Sequence, residues 1–159
     1  MLTLKDASLL RTQNFIDGEW VAGGAGTIEV TNPATGEVVT RTANGDAADA
    51  TRAVETAAIA FKTWSRTPAK QRAVLLRSWF DLLMENADDL GAIMTAEQGK
   101  PLYESVGEIA YGASFIEYYA EECKRVMGDT IPTISNDRRL QTYKQAVGVV
   151  GCITPWNFP

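Results

Sequence analysis

The sequence contains no histidine. Without an imidazole there is no Ser-His-Asp triad, no Cys-His pair and no His-ligated zinc within this chain, whatever its fold. Cysteine is scarce as well. Cys123 and Cys152 are too few for a disulfide framework and have no CxxC spacing, a usage that fits a reducing cytosol better than secretion. Lys5, Asp6 and Arg11 interrupt the apolar residues of the N-terminus, so no signal-peptide core is expected, and no segment approaches the roughly 18 apolar residues of a membrane span. Positive charge is in deficit: 15 basic against 20 acidic side chains leave a net charge of −5. That balance argues against bulk binding of nucleic acid or of an anionic membrane, both of which need a clustered basic face. What remains is 159 residues, 45% of them hydrophobic and 22% charged, the composition and length of one globular domain able to bury a core.

The opening third reads as β. Asp17-Gly18 lies between Phe15-Ile16 and Trp20-Val21, the signature of a tight hairpin, and Asn32-Pro33-Ala34-Thr35-Gly36-Glu37 turns the chain between Ile28 to Thr31 and Val38-Val39. Together they predict a small β-meander. Asp46 is a good N-cap, after which Ala50, Val54, Ala57, Ala58, Phe61 and Trp64 form one apolar stripe at helical spacing. Pro68 starts a second helix, expected at the centre of the core because Leu75, Trp79, Leu82 and Leu83 are broadened by Leu76, Phe80 and Met84. A shorter amphipathic turn with Leu90, Ile93 and Met94 ends at Gly99, a left-handed cap in expectation, and Pro101 opens a third main helix. That helix carries Val106, Ile109, Ala110, Ala113, Ile116, Ala120 and Cys123 on one face, with Gly107 and Gly112 predicted to admit another backbone.

β character returns after Gly128. Leu140 to Val147 is a strand without a fully apolar face, poor core material and suited to an exposed arm that pairs with another chain. Val149 to Ile153 is instead a short apolar run of the kind buried in a parallel sheet, and Thr154-Pro155-Trp156-Asn157-Phe158-Pro159 breaks it. Ligands of α/β proteins gather at the carboxyl ends of such strands. Since a parallel strand needs neighbours reached through crossovers, the chain is expected to be the front piece of a larger α/β protein.

Most candidate sites read as structure. Gly23-Gly24-Ala25-Gly26 follows a hairpin and opens no helix, so it is a turn and not a phosphate loop. Cys152 is expected as a buried thiol inside a strand, Cys123 as packing, and Glu104 with Glu108 and Glu121 with Glu122 as solvated helix faces. Trp156-Asn157 differs. An asparagine amide N–H stabilises a developing oxyanion, and a proline on each side restricts the backbone that holds it, although the same residues serve equally as a strand-ending turn with an aromatic plug.

Three segments then carry a resemblance. Thr31 to Glu37 (TNPATGE), Glu97 to Pro101 (EQGKP) and Ile153 to Pro159 (ITPWNFP) resemble, in order and spacing, hallmarks of the aldehyde dehydrogenase superfamily; Gly107 to Glu122 with Gly128 to Pro132 is similar to its succinate-semialdehyde dehydrogenases. The resemblance runs from about Phe15 to Pro159. It implies an α/β fold: β-hairpins, three main helices, an oligomerisation arm and the first strand of a Rossmann-like parallel sheet. Residues 1–136 would begin the cofactor-binding domain, 137–147 form the arm, and 148–159 supply the first strand and cofactor loop.

The family oxidises an aldehyde through a cysteine thiohemiacetal, passes hydride to NAD or NADP and hydrolyses the resulting thioester with a glutamate-activated water. By resemblance Asn157 is the side-chain half of the oxyanion hole, and Ile153, Thr154, Pro155, Trp156 and Asn157 line the cofactor cleft. The nucleophile, the base and the substrate-carboxylate arginine would lie beyond Pro159, so residues 1–159 alone are expected to be inactive, and Cys152 does not stand in the nucleophile's motif. The implied parent is a cytoplasmic homo-oligomer, without metal, acting on succinate semialdehyde. The alternatives are a parent acting on another aldehyde, such as glutarate semialdehyde, or a catalytically silent oligomerisation module.

Overall fold

Asp17 and Gly18 both take positive φ, 59° and 79°, the twisted turn that a two-residue hairpin needs. It joins β1 (Asn14–Ile16) to β2 (Glu19–Val21), antiparallel with Ile16 opposite Glu19. The second hairpin pairs β3 (Thr27–Thr31) with β4 (Val38–Ala43) around the Asn32 turn, with a register shift between Val30 and Thr31. The computed structural model describes residues 2–159, and in it these hairpins are separate two-stranded ribbons instead of one meander. Between them Gly23 and Gly26 bridge to each other, and the Ala25 N–H bonds the Asn44 carbonyl at 3.0 Å, turning the chain out of line with β2.

Four helices follow. The Asp46 carboxylate accepts the N–H groups of Ala48 and Asp49 at the start of α1 (Ala47–Trp64), and Asp49 returns the bond to the Asp46 N–H, a complete capping box. Next come α2 (Ala69–Glu85), α3 (Ala87–Gln98) and α4 (Leu102–Glu122); α3 is a full helix of 12 residues where only a short turn was expected. α4 is the centre, packed against both α2 and α3. Its predicted inner face is the observed one: Ala113 and Ala120 are buried, with Ser105 on the same side at 0% exposure.

Close backbone approach occurs, but not where glycine in α4 predicted it. A Cβ on Gly107 or Gly112 would meet nothing within 4 Å, whereas one on Gly91 of α3 would lie 2.6 Å from Val106 Cγ2 and 3.0 Å from the Val106 backbone nitrogen. The helix contact runs through Gly91. α2 is also not the core helix its composition suggested. Ala73 is buried toward α4, but Leu75, Trp79 and Leu82 are each more than half exposed, as is Val54 on the α1 stripe. The accessible surface, 11843 Å², exceeds the roughly 7,800 Å² of a folded monomer of this mass. Exposed apolar side chains of the helices and of the C-terminal tail are part of that surface.

The last forty residues are sparsely paired. β5 (Thr130–Ile131) pairs with β6 (Leu140–Gln141) within the chain, so the expected strand from Leu140 to Val147 is reduced to two residues and its partner is this chain's own segment. Val149 to Ile153 forms no strand; Ile153 is 100% exposed. The physical reason is the one that made it a buried-strand candidate: an apolar run of this kind is held by neighbouring strands, and the described residues supply none.

Candidate functional site

The three segments that carry the resemblance meet at one corner. α3 stops because Gly99 adopts φ 82°, donating its N–H to Thr95 O at 2.9 Å. A Cβ there would lie 2.8 Å from Pro33 Cγ, so the left-handed backbone and the Asn32-Pro33 turn both require glycine. Pro101, at φ −54°, begins the next turn as the cap residue of α4. Lys100 is thus held between a left-handed glycine and a proline, which restricts its own backbone to extended values.

Its side chain leaves solvent. Lys100 and Glu108, on the second turn of α4, form an ion pair with side chains only 14% and 12% exposed. Mutual pairing offsets the desolvation of each. The same ammonium donates to the Asn157 carbonyl at 2.7 Å and lies 4.6 Å from the centre of the Phe158 ring. One residue before the cap, Gln98 Nε2 donates to the Trp156 carbonyl at 2.9 Å. The loop closes on itself through Phe158 N–H to Pro155 O at 3.2 Å. Two side chains from the α3–α4 corner therefore grip two consecutive carbonyls of the turn.

Asn157 lines a cleft of about 420 Å³ together with Lys100, Glu104, Gly107, Glu108, Tyr111 and Phe158. It is exposed, and among the described residues its side-chain amide engages no partner. A free amide donor on a clamped backbone is what stabilisation of a developing oxyanion requires. Ile153, Thr154, Pro155 and Trp156 lead into that turn along an exposed segment, with Trp156 at 87% exposure. The glycine-rich loop gives no phosphate cradle elsewhere: the N–H groups of Gly24, Ala25 and Gly26 are spent on Asp49, Asn44 O and Gly23 O.

Among the described residues, none of the remaining candidates hydrogen-bonds the Asn157 side chain. Glu121 and Glu122 pair with Lys124 and Arg125 on the surface, and the Lys124 bond and charge hold the Glu121 carboxyl below its ordinary range. Glu104 accepts the Tyr103 hydroxyl at 2.9 Å, and Glu108 is committed to Lys100. Cys123 packs between α2 and α4, its Sγ 3.5 Å from Ala69 O and 3.3 Å from Ala120 O. Cys152 is exposed, contrary to expectation, because the strand that was to bury it does not form; neither cysteine lines the cleft. Residue types alone gave no role to Gln98, Lys100 or Glu108. The one local signal was a lysine held between glycine and proline.

Comparison with known proteins fits this corner into a family. The profile described as the Aldehyde dehydrogenase family matches residues 20–159. The chain is 55% identical to a 3-sulfolactaldehyde dehydrogenase of Pseudomonas putida, over 100% of its own length and 33% of the relative's, and 54% identical to a glutarate-semialdehyde dehydrogenase of the same species, over 99% and 33%. Its structure superposes on that of a succinate-semialdehyde dehydrogenase from Burkholderia pseudomallei with a TM-score of 0.94 and 52% identity, covering 99% of this chain and 33% of that one. The chain thus spans about a third of the length of the relatives it matches. With its three hallmark segments assembled at one corner and the family profile covering most of its residues, this chain belongs to the aldehyde dehydrogenase family.

Proposed function

We propose that the chain acts as the N-terminal portion of an NAD- or NADP-dependent dehydrogenase that converts succinate semialdehyde to succinate. The observation that carries this is the free Asn157 amide, held on a clamped turn beside an open cleft. The balanced reaction is aldehyde, oxidised dinucleotide and water giving carboxylate, reduced dinucleotide and two protons. A nicotinamide dinucleotide, when bound, would supply the hydride acceptor. Ile153 to Trp156 offer one wall of its site, and Asn157 donates to the oxygen of the aldehyde as that oxygen gains charge. The turn acts by orientation: its carbonyls are tied back to Gln98 and Lys100, and the Asn157 amide is left without a partner of its own. Residues 1–136 then open the cofactor-binding domain, 137–147 act as an arm in a cytoplasmic homo-oligomer, and 148–159 supply the cofactor loop, with a strand forming at Val149 to Ile153 only where neighbouring strands are present to pair with it. No helix among the described residues is long and apolar enough to cross a membrane.

The names of the relatives support an aldehyde with an acid group at its far end, since glutarate and succinate semialdehydes carry a carboxylate and sulfolactaldehyde a sulfonate. Glutarate semialdehyde is the second reading on that ground. A full-length dehydrogenase carrying residues 1–159 as its N-terminal third should show its highest kcat/KM with succinate semialdehyde. A preference for an uncharged aldehyde of the same length would overturn the substrate assignment. Residues 1–159 alone should form no reduced dinucleotide.

A further inference from the structure

We infer that Lys100 is a positioning residue for the oxyanion donor, with Glu108 holding Lys100 and Gln98 holding the adjoining carbonyl. This rests on the reading of Asn157 given above and adds three residues to it. A lysine–glutamate pair withdrawn from water at a helix corner would serve stability alone if all its contacts lay within that corner. They do not. The Lys100 ammonium has Glu108 on one side, and on the other the Asn157 carbonyl and the face of the Phe158 ring. Both contacts to the turn flank the Asn157 side chain: one is to its own peptide and one to the next residue. Gln98 adds the preceding peptide through Trp156 O. Three consecutive residues of an otherwise exposed tail are thereby fixed from one corner, and the corner itself is rigid, built from a left-handed Gly99 against Pro33 and from Pro101.

The consequence is geometric. An amide donor displaced by about 1 Å loses much of its effect on a developing charge, and the turn has no strand partner of its own to keep it in place. Glu108 matters because an unpaired ammonium would prefer water to the Asn157 carbonyl. The assignment therefore predicts a loss in kcat that passes through Asn157.

The test is a double-mutant cycle in the full-length dehydrogenase carrying this sequence. Lys100→Met keeps the length of the side chain and removes its charge and donors. It should lower kcat about tenfold in the parent enzyme, and less than about twofold when Asn157 is already alanine, because coupled residues are non-additive. Lys100→Arg, which retains a cation and donors, should recover part of the loss. Gln98→Met removes one neutral donor and is run through the same cycle, so that the coupling is read even if Lys100→Met does not fold; its loss is expected to be about threefold. If Asn157→Ala lowers kcat while Lys100→Met and Gln98→Met leave it unchanged, or lower it equally in both backgrounds, the positioning role is overturned and the oxyanion reading stands. If Asn157→Ala itself leaves kcat unchanged, the oxyanion reading falls and the positioning role falls with it.

Discussion

The α3–α4 corner and the tail from Thr142 to Pro159 are held in opposite ways. The α3–α4 pair that forms the corner is specified many times over: Ser105 is fully buried and accepts a hydrogen bond from Thr95 at 2.9 Å, Gly91 lies against Val106, and at the other end of α3 the buried Asp89 carboxylate takes the backbone N–H groups of Lys5 and Asp6 at 3.0 and 2.8 Å. The tail has almost no burial of its own, and its last turn is fixed by Gln98 and Lys100. The contrast teaches that residues with the clearest functional signal need not be those that stabilise the fold. A donor presented on a lightly packed loop has to borrow its rigidity from a neighbouring element that is packed.

The comparison can be broken first at the corner. Gly91→Val puts two methyl groups where a single Cβ already meets Val106 backbone, and should destabilise the chain by about 3 kcal/mol in urea unfolding. Asp89→Ala leaves two backbone N–H groups without their acceptor and should cost about 2 kcal/mol, with protection of Lys5 and Asp6 from hydrogen exchange lost. A smaller effect is expected at the acid limb. The N–H groups of Gly24 and then Asp46 hold the Asp49 carboxyl below its ordinary range. A depressed folded-state pKa means stabilisation that is complete above the unfolded value, about 3.9, and lost as pH falls through the lower folded value. Asp49→Asn should therefore flatten the acid-unfolding curve below about pH 4, while a curve unchanged in slope would contradict the assignment. In the tail, Ile153→Ser should change the stability of this chain by less than about 0.5 kcal/mol, since the side chain is already in water.

Local chemistry made much of the fold legible. Asp17-Gly18 announced a hairpin, Asp46 a helix start and Gly99 a left-handed stop, because each rests on backbone preferences that act within a few residues. Packing partners were less legible. Gly107 and Gly112 looked like contact glycines but face open space, and the glycine that admits a neighbour is Gly91; composition identifies where a backbone approach is possible, not which helix makes it. Apolarity marks the Val149 to Ile153 run as a strand, yet a strand exists only with its partners. The candidate site divides in the same way. Asn157 stood out from its amide and flanking prolines, whereas Lys100 and Glu108 acquire their roles only when residues 57 and 49 positions away in sequence are brought beside them.

The most direct measurement is the turnover of Asn157→Ala in a full-length dehydrogenase carrying these residues, with succinate semialdehyde and saturating dinucleotide. Loss of a single oxyanion donor predicts a fall in kcat of about 10²–10³ with the enzyme still folded. A change of less than about twofold in the folded variant would contradict the account.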